Sequence, residues 1–135
     1  MNRKIAFRSV SVVLTTLLMV LAFTACLAQP VNIREYYNKN ISEFTDLESN
    51  LSNSAQTMKI YPESDDILVF ECTIMQDISP SSEVTSLFSQ EFNKQRSNFE
   101  EQVAEIKKEA LLDKLTISVK YLNQDGELLY EDSVS

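Results

Sequence analysis

The sequence predicts an α+β fold: a two-layer α/β sandwich in the order α-β-β-α-β-β, with a four-stranded antiparallel sheet and two helices on one face. Three observations predict it. Apolar residues recur at steps of three and four in two segments, they alternate with polar residues in others, and clusters of turn-forming residues separate the alternating runs. No internal repeat, low-complexity tract or second domain boundary interrupts this pattern, so one domain over 32–135 is expected.

The first helix is predicted from Ile33, Tyr37, Ile41, Phe44, Leu47 and Leu51, which fall on one face, with Asn32 as its N-cap. Arg34, Glu35, Lys39, Glu43, Asp46 and Glu48 occupy the solvated face, and Ser52-Asn53-Ser54 ends the pattern. Gln56 to Tyr61 and Ile67 to Met75 read as two strands of a hairpin joined by Pro62-Glu63-Ser64-Asp65-Asp66. In the second strand Leu68, Phe70, Cys72 and Ile74 point to the core, and Val69, Glu71 and Thr73 point away.

A second helix is predicted from about Ser82 to Leu112, with Ser79 before Pro80 or Ser82 before Glu83 as its cap. Its stripe is Val84, Leu87, Phe88, Phe92, Phe99, Val103, Ile106 and Ala110, and its length is on the order of 45 Å. The polar run Asn93 to Asn98 interrupts the stripe and leaves open an overhang or a bend. Leu115 to Leu122 alternates, Asn123-Gln124-Asp125-Gly126 is a hairpin turn with the only Gly of the chain, and Glu127 to Val134 returns as the last strand. Strand order is not determined by these patterns.

Ahead of this domain stands a leader. Arg3, Lys4 and Arg8 precede an uncharged apolar run of about 17 residues from Ser9 to Ala25, which matches a secretory signal peptide over 1–25 and is short of the roughly 20 residues of a spanning helix. Ala22-Phe23-Thr24-Ala25-Cys26 is similar to the lipobox of bacterial lipoproteins, in which the Cys thiol takes a diacylglyceryl group and the leader is cut before it. Phe23 stands where Leu is usual, and Leu27 follows where a small or polar residue is common. Residues 26–31 would then be the lipidated Cys26 and a short tether, and two acyl chains suffice for stable membrane attachment. The competing readings are ordinary cleavage after Cys26-Leu27-Ala28, which would release the domain, and an uncleaved anchor.

Composition excludes more than it assigns. The net charge is −8, and removing the three cations of the leader leaves about −11 for the rest, which disfavours nucleic acid as a partner. There is no His, which removes the usual general base and the commonest zinc ligand, and a single Gly removes phosphate-cradling loops and dinucleotide fingerprints. Neither a cofactor nor a metal is implied. The acidic pairs Asp65-Asp66, Glu100-Glu101 and Asp125-Glu127 fall on turns and solvated faces, and Asp125-Gly126-Glu127 lacks the ligand spacing of a calcium loop. Catalytic residues are therefore not expected. Cys72 is expected as a buried apolar side chain, with no disulfide partner if Cys26 is lipidated. Tyr37 and Tyr121 lie on predicted core faces, whereas Leu122, Leu128 and, if the register turns it outward, Tyr130 line the open face of the sheet as the candidate interaction surface.

The segments Ile67 to Thr73, Phe99 to Lys107 and Ser118 to Tyr130 resemble an uncharacterised domain of small lipoproteins from Gram-positive bacteria. That family usually has Tyr where Phe70 stands here. It has no assigned activity, so the resemblance carries no functional residue onto this chain. The resulting expectation is a non-enzymatic binding or interaction module, held on the outer surface of the cell membrane through Cys26 and meeting a protein partner in the cell envelope. The alternative is a secreted structural or effector-like protein cleaved after Ala28.

Overall fold

Asn32 caps the first helix as expected, its side-chain oxygen accepting from the Glu35 N–H at 2.9 Å. The computed structural model describes residues 32–135; the leader 1–25, Cys26 and the tether lie outside the described residues. The single helix expected over 33–51 is instead two, α1 (Ile33–Lys39) and α2 (Ile41–Leu51). Asn40 makes the break. Its backbone leaves the helical region at φ −118 and ψ 29, and its side-chain amide donates to the Tyr36 carbonyl at 2.8 Å, the kind of local competition by which Asn interrupts helices. The apolar face is reset in consequence. Ile41, expected in the core, is 52% exposed, while Tyr36 is buried and Tyr37 only packs at the core margin. Both tyrosine rings flank Phe44, at 6.3 and 5.1 Å between centroids.

The strands are β1 (Gln56–Pro62), β2 (Ile67–Ile74), β3 (Thr116–Leu122) and β4 (Leu128–Val134), with one long helix, α3 (Ser82–Ala110), between the two hairpins. The sheet has the order β1-β2-β3-β4. Both hairpins are antiparallel, but β2 and β3 lie parallel in the middle, with Ile67 opposite Thr116 and Thr73 opposite Leu122. The expected all-antiparallel sheet is thus corrected to a mixed one, and the element order to α-α-β-β-α-β-β. The reason is the helix. A single crossing of the sheet by α3 carries the chain from the end of β2 back to its start, so the next strand must run in the same direction. All three helices share one core with the sheet; α1 and α2 cover β1 and part of β2, and α3 covers β3 and β4.

The helix α3 is continuous, and its cap is Ser81, whose hydroxyl accepts from the Val84 N–H at 3.1 Å, rather than Ser79 or Ser82. The polar run Asn93 to Asn98 does not interrupt the helix. Arg96 fills the gap in the apolar stripe: Phe92 and Phe99 stack at 5.3 Å, and the guanidinium lies 5.0 Å from the Phe92 ring centroid. It then reaches Asp132 Oδ2 at 2.5 Å and the Ser133 carbonyl at 3.3 Å on β4. The Tyr130 hydroxyl donates to the same Asp132 oxygen at 2.5 Å. Burial pushes the Asp132 carboxyl up, but the hydrogen bonds from Tyr130 and Ser133 together with the Arg96 charge outweigh it and hold the group below its ordinary value.

Leu111 closes α3 in the left-handed region at φ 53, with its side chain 68% exposed. A Cβ in that region is strained, and glycine is the usual occupant of a helix C-terminus of this kind. Leu111→Gly is expected to raise the unfolding free energy by about 1 kcal/mol, measured by urea denaturation. A loss of stability would mean that the leucine side chain contributes a contact larger than the strain.

Candidate functional site

Both edges of the sheet are closed by side chains from the helical layer. On β1 the outward N–H of Met58 meets Ser52 Oγ at 2.9 Å and that of Ile60 meets Glu48 Oε2 at 2.6 Å. On β4 the Leu129 carbonyl accepts from Thr85 at 3.2 Å and the Ser133 carbonyl from Arg96. A partner adding a strand needs these groups, so edge pairing is disfavoured and the uncovered sheet face is the larger free surface.

That face is polar at its centre. Register places Lys59 opposite Glu71, Glu71 opposite Lys120 and Lys120 opposite Glu131, so charge alternates across all four strands. Lys120 Nζ lies 3.4 Å from Glu63 and 3.8 Å from Glu131, and Tyr61 donates to Glu71 at 3.2 Å. Burial works against the Lys120 charge, but these acidic neighbours hold its pKa above the ordinary value. Val69 is buried on this side, opposite Tyr61 and Ser118.

Toward the Asn123 turn the face becomes apolar. Leu122 pairs with Leu128, and Leu128 is 47% exposed. Tyr130 does not join them. A register shift between Tyr121 and Leu122 inserts an extra residue in β4, so Leu129 enters the core and Tyr130 faces Tyr121, on the helix-covered side. There its ring lies 6.4 Å from Tyr121 and 6.2 Å from Phe92. Met75 takes its place on the open side: it follows Thr73 by two positions, hydrogen-bonds Ala55 just beyond the end of β2, and is 45% exposed. The alternation in Glu71, Thr73 and Met75 carries that signal in the sequence.

The platform behind these side chains is tied together by hydrogen bonds. Asn123 is buried, accepts from the N–H groups of Asp125 and Glu127 at 3.0 and 2.9 Å, and donates to the Ile78 carbonyl and Glu127 Oε1, both at 2.9 Å. The Gln124 N–H reaches the Gln76 carbonyl at 3.3 Å. Gly126 supplies the positive φ of 84 that the turn requires.

At the opposite end of the sheet a cleft of about 420 Å³ is lined by Asp66, Lys107, Asp113, Lys114 and Thr116 among others, a mixture of both charges. The acidic pairs Asp65-Asp66, Glu100-Glu101 and Asp125-Glu127 all stand exposed, and Asp65 is paired with Arg34 at 3.1 Å. Among the described residues no group of three or more His, Cys, Asp or Glu side chains is placed to hold a metal ion. Nor is any helix among them long and apolar enough to cross a membrane. Cys72 is a free, buried cysteine whose thiol is pushed up to about 12 by burial, so it stays protonated at neutral pH and is a poor nucleophile.

Comparison with known proteins finds a family model, described as a domain of unknown function (DUF4854), that matches residues 33–134. No curated protein and no solved structure matches the chain.

Proposed function

The chain belongs to the DUF4854 family, and from that premise we propose that it is an exported lipoprotein whose family domain is a non-enzymatic binding or interaction module. The leader carries it across the membrane, the Cys26 thiol is acylated, and the domain sits on the outer surface of the cell membrane to meet a protein partner in the envelope. One observation carries this reading: a basic, then apolar, leader that ends in Ala22-Phe23-Thr24-Ala25-Cys26. The family match covers residues 33–134 and so lies downstream of that leader.

Metabolic labelling with radioactive palmitate tests it. The full chain is expected to take label in the membrane fraction, and Cys26→Ser is expected to abolish the label. A chain recovered from the medium without label and starting at Gln29 would replace this reading with secretion after Ala28. An unlabelled cellular form starting at Met1 would remove both.

A further inference from the structure

We infer that the end of the open sheet face formed by Met75, Leu122 and Leu128 docks a cationic, aliphatic-bearing stretch of polypeptide from another exported protein. This rests on the proposed attachment through Cys26 only for where the partner is met, not for what the surface binds.

Three features converge on that end. The first is its apolar exposure. Met75 and Leu128 are half-exposed, and Leu122 lies between them, paired with Leu128 and with Thr73. The second is charge. Residues 52–57, 75–81 and 123–128, which make up this end of the domain, contain no Lys or Arg but include Asp77, Asp125 and Glu127, all exposed. Arg34, Lys107, Lys108 and Lys114 stand instead on segments at or beside the opposite end. An apolar strip beside uncompensated carboxylates is complementary to Lys or Arg residues spaced by aliphatic ones, and repels an anionic segment or an anionic lipid surface. The third is position. The chain enters at Ile33, whose N–H bonds the Asp65 carbonyl in the β1–β2 turn. The strands then separate this entry from the Met75 and Leu128 end by about 23 Å. The described chain therefore enters the domain at the end remote from the docking surface, and the hydrogen bonds of Asn123 and Gln124 tie that surface to the Gln76–Ile78 segment.

The test uses the full chain in non-ionic detergent and a fluorescent ten-residue peptide of alternating Lys and Val as the probe, with fluorescence anisotropy as the readout and empty micelles as the reference. The unmodified chain is expected to bind the probe. The double variant Met75→Ser/Leu128→Ser is expected to bind about tenfold more weakly, and Leu111→Gly, which removes a more exposed leucine at the other end, is expected to bind unchanged. Absence of binding, equal affinity of the double variant, an equal loss on Leu111→Gly, or equal affinity for a peptide alternating Glu and Val would each overturn the proposal. Cys26→Ser retains the surface, so probe binding by that variant separates this inference from lipid attachment: a chain that never takes palmitate but binds the probe sinks the tether and leaves the docking end standing.

Discussion

Phe92→Ala is expected to lower the unfolding free energy by about 4 kcal/mol, the largest loss of any single truncation considered for this domain. Phe92 is fully buried and stacks on Phe99 at 5.3 Å. It also lies 6.2 Å from the ring of Tyr130 and supports the guanidinium of Arg96 at 5.0 Å. Removing the ring opens a cavity and also frees the arginine that pins Asp132 and Ser133, so α3 holds the C-terminal half of the edge strand β4 less firmly. Small domains have only about 5–15 kcal/mol in total, so a substantial unfolded fraction is expected under mild denaturant. Urea titration gives the comparison, and Phe92→Leu, which keeps most of the volume, is expected to cost about 1.5 kcal/mol or less. A loss below that value for the alanine variant would show that the helix–sheet interface collapses around the gap and that the ring does not organise it.

Asn123→Ala is expected to cost about 3 kcal/mol, because one buried amide serves four partners and its removal leaves several without a replacement. Two backbone N–H groups, of Asp125 and Glu127, lose their acceptor, and the Ile78 carbonyl loses its donor. Asn123→Asp separates the two roles. The new carboxyl accepts as the amide did, but when ionised it cannot donate, and it faces both the Ile78 carbonyl and Glu127 Oε1. Burial and those acceptors disfavour the charge, the N–H groups of Asp125 and Glu127 favour it, and with the first two outweighing the third the folded-state pKa is expected above the unfolded value of about 3.9. Stability is then greatest below the unfolded pKa and is lost as the pH rises through the folded one. Thermal unfolding at pH 4 and pH 7 is expected to show Asn123→Asp closer to the unmodified chain at the lower pH. Equal deficits at both values would assign the role of Asn123 to acceptance alone.

The two positions illustrate different degrees of legibility. Phe92 stands on a stripe that helical periodicity marks plainly, but Arg96, inside what reads as a polar gap, completes that stripe only because β4 offers Asp132 to its charged end. Asn123 reads as a turn residue, and its local bonds to Asp125 and Glu127 follow from that; its bond to Ile78 does not. On the candidate surface, Leu122 and Leu128 follow from alternation. Tyr130 depended on a one-residue shift opposite Tyr121 that moves the side chain to the other face, and nothing in the local sequence fixes such a shift.

What the sequence by itself determined is everything set by neighbours a few positions apart: the cap at Asn32, the core faces of β2 and β3, the turn at Gly126, and the strands and long helix in their order. Only the tertiary structure decided the parallel pairing of β2 with β3, the position of Tyr130 and the closure of both sheet edges. Each of these depends on groups brought together from distant parts of the chain or on a choice of register, as when Thr85 meets Leu129 or Arg96 meets Asp132. Periodicity specifies which side of an element is apolar. Which element it then meets, and in what register, is fixed when α3 folds back across the sheet and all the apolar faces must be buried together.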